Sequence, residues 1–145
     1  MDLHIDDFRR DSAIILLRLY NHFPRQYSIY ISEITQEGYE DEFGLINARY
    51  EACLATMYWL AEENLLTYKS EMPNEGIEQA TLTLKGYQLL LGYSTLKQIS
   101  QDLSSTEDQE AQPQRRIQHI REALRSQSSA QMEIVMDEFF LSIKC

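Results

Sequence analysis

Three histidines, two cysteines and 23 acidic side chains are the groups in this 145-residue chain that could do proton, nucleophile or metal chemistry. A metal centre needs ligands at short, regular spacings, and a nucleophile needs a base beside it. His4, His22 and His119 stand far apart, and none lies in a spaced set with cysteine or carboxylate. Cys53 sits in an apolar helical run and Cys145 is the last residue, an arrangement that builds no disulfide framework. Neither a Gly-rich phosphate loop nor a nucleophile elbow occurs, and the five glycines fall at expected turns or element ends. Carboxylates spread over polar faces serve solvation more often than acid–base catalysis. The residues therefore predict a non-enzyme, with no catalytic group, no metal and no cofactor.

Contact chemistry is what remains, and charge restricts it. Thirteen basic residues stand against 23 acidic ones, for a formal net charge of -10. Up to Lys97 there are 8 basic and 15 acidic residues, and beyond it 5 and 8, so the larger part is the more acidic. A general polyanion binder carries the opposite sign, because Lys and Arg supply most of the affinity for phosphates. Nucleic acid is thus a disfavoured partner unless a local basic patch exists. A hydrophobic content of 43% fits a folded domain. The stretch "MDLHIDDFRR" lacks an apolar signal region and no run reaches bilayer length, which predicts a soluble protein without membrane contact. The sparse cysteines suit a reducing cytoplasm.

These groups have to be held by elements whose order the hydrophobic period reveals. "DDFRRDSAIILLRLYNHF" places Phe8, Ile15, Leu16, Leu19 and Phe23 on one helical face, with Asp6 or Asp7 available as a cap and Pro24 as a stop. "YSIYIS" predicts a strand over 28–31, and Ser32 can cap the short helix "EITQE" before Gly38. "GYEDEFG" reads as an acidic loop. A long helix should run from about Leu45 to Glu63, with Ile46, Tyr50, Cys53, Met57 and Leu60 as its buried stripe and Asn64 ending it in a left-handed conformation. "LLTYKSEM" and "IEQATLTL" then flank the turn formers "PNEG" as a β-hairpin. Thr83 can cap the next helix, whose Gly86 permits close approach to the sheet.

With these elements in order, two motifs carry a resemblance. "MYWLAEENLLTY" resembles the end of a recognition helix running into a wing, and "LTLKGYQLL" is similar to the Leu-Thr-x-Lys-Gly segment that leaves the wing. Over roughly residues 8–91 the chain resembles the winged helix-turn-helix superfamily, in particular MarR-like and PadR-like bacterial regulators. The implied fold is mainly α with a small β-hairpin wing, a winged helix-turn-helix domain followed by C-terminal helices. The implied domains are 1–103 for the winged helix, 104–114 for a polar linker and 115–145 for a helical pair that could dimerise.

In that superfamily the long helix enters the major groove and its exposed residues meet base edges, so its outer face decides the function. At 100° per residue the side opposite the buried stripe presents Ala48, Glu51, Ala52, Ala55 and Trp59, none of them cationic. Small alanines permit close backbone approach, and Tyr58 and Trp59 can anchor an interface, so Ala48, Glu51, Ala55, Tyr58 and Trp59 form the expected protein-binding set. Trp59 has a second reading, as core beneath the hairpin. Under the DNA-binding alternative, Asn47, Arg49 and Thr56 would contact bases or phosphates, with Lys69 and Lys85 near the backbone. Glu40, Asp41 and Glu42 in the preceding turn would oppose a duplex.

The tail supplies a second element. "SSTEDQEAQPQ", residues 104–114, is polar and contains Pro113, which can open a helix bearing Ile117, Ile120 and Leu124 until "SQSS" breaks it. In the last segment Met132, Val135, Met136, Phe139, Phe140 and Ile143 recur at i, i+3, i+4, i+7, i+8 and i+11. That stripe must be covered, either by folding back on the winged domain's own first helix or by a dimer partner, and Leu96, Ile99 and Leu103 could contribute to the same surface. Two functions follow: an acidic regulatory or adaptor protein that acts through protein contacts and self-associates, or a dimeric DNA-binding transcriptional regulator.

Overall fold

The computed structural model describes residues 2–40, 42–96 and 113–144. Asp41, Ile99, Leu103, Cys145 and all but the end of the expected 104–114 linker lie outside the described residues. The architecture is mixed α/β, in the order α1 (Leu3–His22), β1 (Tyr27–Tyr30), α2 (Ile31–Thr35), α3 (Ala48–Glu62), β2 (Leu66–Thr67), β3 (Ser70–Met72), β4 (Gly76–Leu82), α4 (Leu84–Leu91), α5 (Arg116–Ser126) and α6 (Ser129–Ser142). Two compact units divide the chain, Met1–Tyr87 and Gln88–Cys145.

In the first unit, α1 buries Ile15, Leu16 and Leu19 at the expected spacing. It starts earlier than its acidic residues suggested: Asp2 holds the N-cap position, and Asp6 lies inside the first turn, where a carboxylate complements the helix dipole. Phe8 is half-buried, and Phe23 stands past the last helical residue. The short helix α2 begins at Ile31, directly after β1, so Ser32 is not its cap. Gln36, with φ of 59°, ends it before Gly38 is reached.

The sheet is antiparallel throughout and built around β4, which pairs with β1 on one side and with β2 and β3 on the other. Between β3 and β4 the "PNEG" turn closes through Glu75 N donating to Met72 O at 2.9 Å. Pro73 fixes the first central position and Asn74 takes a positive φ of 61° at the second, a pairing that a type II turn favours. At the far end of β4, Thr83 Oγ1 accepts from Gly86 N at 3.0 Å and so caps α4. A Cβ on Gly86 would stand 2.2 Å from Leu65 O, which explains why glycine occupies the first turn of a helix pressed against the strand-entry segment.

In the second unit, α5 and α6 pack as a pair joined by Gln127 in a left-handed conformation and Ser128, whose side chain accepts from Gln131 N. Arg116 Nε meets Glu138 at 3.0 and 3.1 Å across the two helices. The entry to α5 is tied to the chain after α4: Arg116 N donates to Gly92 O at 2.9 Å, and Ser94 N donates to Gln114 O at 2.8 Å. Helix α5 is rotated from its expected stripe. Ile117 and Ile120 are buried, but Ala123 and His119 join them while Leu124 is only half-buried.

On α6 the structure covers the apolar stripe within the single chain. Met132, Val135, Met136 and Phe139 are buried, and Phe140 and Ile143 are partly so. Four of the six side chains expected at a dimer contact are thus buried without a partner chain, while Phe140 and Ile143 keep part of their surface. Among the described residues no helix is long and apolar enough to cross a membrane.

Candidate interaction surface

Helix α3 is placed by its two ends and its inner face. Asn47 is the N-cap: its Oδ1 accepts from Arg49 N at 2.9 Å, while its Nδ2 donates to Glu37 at 2.7 Å. At the other end Asn64 adopts φ of 64°, the left-handed stop expected from its side chain. Tyr50, Cys53, Thr56, Met57 and Leu60 face inward, in a helix that packs on α1 and α2. Ile46 does not belong to this stripe. It precedes the cap and is 48% exposed, because the asparagine fixes the helix start two residues later.

The outer face is as expected in composition. Ala48, Glu51, Ala52 and Ala55 are exposed, and Trp59 is exposed along one side while its ring meets Phe8 edge-on at 5.1 Å. Trp59 is thus neither core beneath the hairpin nor fully outward; it leans on α1. Tyr58 is half-buried and turns towards the segment between β2 and β3, with its ring 6.3 Å from that of Tyr68. Of the protein-contact set, Ala48, Glu51 and Ala55 share one exposed face, Trp59 sits at its edge, and Tyr58 lies off it.

The polar residues named for DNA are dispersed. Arg49 bonds Asp11 through both terminal nitrogens, at 2.6 and 2.5 Å, and its Nε approaches Asp7 at 3.5 Å. The hydrogen bond with Asp11 raises the guanidinium further above its ordinary value, and Asp11 itself is wholly buried. Thr56 is buried and donates its hydroxyl to Ala52 O at 2.9 Å, so it is not on the outer face. Lys85 Nζ donates to Glu63 O at 3.3 Å, binding a carbonyl just beyond the end of α3. Asn47 stands at the opposite end of this 15-residue helix, about 22 Å away by helical rise. Lys69 is exposed, with its backbone N paired to Glu78 O.

Phe43 and Leu45, expected only as part of an acidic loop and a helix start, extend this surface. The acidic turn before α3 is closed by a bridge between Glu40 and Ile46 and by Asn47 N donating to Tyr39 O at 2.9 Å. On it Phe43 is 79% and Leu45 66% exposed, beside Ile46. The signal was present: "FGLI" is a dense apolar run inside an acidic loop, directly before an asparagine able to cap.

Neither cysteine nor histidine chemistry is gathered here. Cys53 is buried, and burial pushes its thiol up to about 12, which keeps it from the reactive thiolate form. No group of three His, Cys, Asp or Glu that could hold a metal occurs among the described residues. In the second unit His119 is 1% exposed, and neither ring nitrogen has a hydrogen-bond partner among the described residues.

Burial lowers the His119 pKa, opposed by the nearby Glu138 and Glu122 carboxylates. An unfolded chain binds this proton near 6.5 while the folded one resists it. Stability should therefore fall as pH drops from 6.5 towards the depressed folded value. Urea unfolding at a series of pH values should show that loss in the wild type and not in His119→Leu; equal slopes for the two proteins would refute it.

Compared with known proteins, the chain matches no family model, no curated protein and no solved structure.

Proposed function

We propose that this chain is an acidic winged-helix module that works as a regulatory or adaptor protein through protein contacts made by the outer face of α3. One observation carries the proposal: the only cation of α3, Arg49, is drawn sideways into Asp11 and Asp7, which leaves Ala48, Glu51, Ala52 and Ala55 as the exposed surface. A duplex would meet carboxylate and methyl groups where base and phosphate recognition needs donors and positive charge. The element order supports the winged-helix part, with a three-helix set, a small sheet and a β3–β4 hairpin after the long helix. Burial of Met132, Val135, Met136 and Phe139 within the single chain supports a reading that needs no self-association through α6.

Random duplex DNA tests the reading. The purified protein should bind it at physiological salt more weakly than the roughly 100 μM to 1 μM range of nonspecific DNA binders. Tight binding that weakens steeply with salt would instead establish the alternative, a DNA-binding regulator using Asn47, Lys69 and Lys85. Fluorescence anisotropy with a labelled duplex measures either result.

A further inference from the structure

The turn before α3 combines three features. It is tied at its base by the Glu40–Ile46 bridge and the Asn47 to Tyr39 hydrogen bond. Its tip turns through Gly44, at φ of 76°. And it presents Phe43, Leu45 and Ile46 to solvent. Large apolar side chains close to these contacts at Glu40, Ile46 and Asn47 lose less conformational freedom on binding than side chains on an untied segment, which suits an interface anchor. Chain continuity leads from Ile46 through the Asn47 cap to the exposed alanines of α3, so anchor and flat face adjoin.

Charge chooses the occupant. Glu40 and Glu42 on the turn and Glu51 in the first turn of α3 are all exposed, and the neighbouring Arg49 is committed to Asp11 and Asp7. A second copy placing the same patch against itself would bring these carboxylates together in an apolar contact, a costly arrangement. A segment with apolar side chains flanked by Lys or Arg meets both features at once, and the net charge of -10 would speed its approach.

We propose that Phe43, Leu45 and Ile46, rimmed by Glu40, Glu42 and Glu51, form a docking site for a cationic, apolar segment of another protein. The proposal rests on reading the outer face of α3 as a protein-contact surface.

The test uses the full chain, labelled with nitrogen-15, and three synthetic peptides: Lys/Leu amphipathic, its Glu/Leu counterpart, and a Lys/Ser peptide of equal charge. The Lys/Leu peptide should shift amide resonances over 42–48 and at Glu51 and Ala52, and bind at least about tenfold tighter than either control. Its affinity should fall as salt rises from about 50 to about 300 mM. Phe43→Ser with Leu45→Ser should weaken it by at least about tenfold while leaving the circular dichroism unchanged.

Equal binding of the Glu/Leu or Lys/Ser peptide, or shifts that avoid the turn, would overturn the proposal. So would self-association that the double variant abolishes. If the Lys/Leu peptide shifts Ala48, Ala52 and Ala55 but binds the double variant unchanged, the turn is refuted while the α3 reading stands. If duplex DNA shifts those same amides, that reading falls as well.

Discussion

Arg49→Met should cost the protein about 3 to 5 kcal/mol of unfolding free energy, the penalty for breaking a buried ion pair from one side. Asp11 lies on the inner side of α1 with no exposed surface, and both of its oxygens are engaged by Arg49. Methionine fills most of the arginine's apolar volume but offers no donor, so the carboxylate is left dry with no cation, beside only the weak thiol donor of Cys53. Replacing both partners at once, with Asp11→Leu and Arg49→Met together, should recover most of the loss, because an apolar pair of similar size removes the desolvation penalty. Urea unfolding of wild type, both single variants and the double variant completes the cycle. A loss below about 1 kcal/mol for Arg49→Met would mean the guanidinium is dispensable to the fold and available to a ligand. The same result decides how any effect of Arg49 on binding is interpreted, since a variant that weakens the α1–α3 contact perturbs the outer face indirectly.

Phe139→Ala should be of similar size, about 3 to 5 kcal/mol, because it removes a buried aromatic ring from a packed site. Phe139 is fully buried, and its ring stands edge-on to Phe140 at 5.8 Å. Leu141→Ala, two residues on, is the control. At 74% exposure, its effect should stay within about 0.5 kcal/mol. Light scattering separates a fold-back from a dimer: wild type and Phe139→Ala should have the same monomer mass. A dimeric wild type that Phe139→Ala converts to a folded monomer would return the stripe to an interface and contradict the covering seen within one chain.

Features governed by neighbours in sequence were readable in advance. The turn at Pro73 and Asn74, the left-handed Asn64, the Thr83 cap and the close packing at Gly86 all depend on local chemistry, and each stands where its residue type placed it. The outward alanines of α3 followed from four correctly assigned inward residues, Tyr50, Cys53, Met57 and Leu60. Thr56 was misplaced by its polarity. Three residues after Cys53 and four before Leu60, it shares their face, and its hydroxyl finds Ala52 O without leaving the helix.

Arg49 was harder. Its destination depends on two aspartates some forty residues earlier, on another helix, and no local period reports such a meeting. Asp11 is buried for the same reason, at a position where polarity alone predicts solvent. Ile46 turned on a single cap: with Asn47 ending the loop, the apolar run "FGLI" stays outside the helix.

The order of strands also limits how this protein can be recruited. The longest strand, β4, has neighbours on both sides, and the outer strands β1, β2 and β3 span four, two and three residues. Such short borders are poor templates for an incoming strand, whose hold would depend on a continuous ladder of unpaired amides and carbonyls. Among the described residues neither amyloid-like stacking nor strand donation has a long rail to follow. Recognition is left to side chains, and its specificity to the shape and charge that helix and turn display.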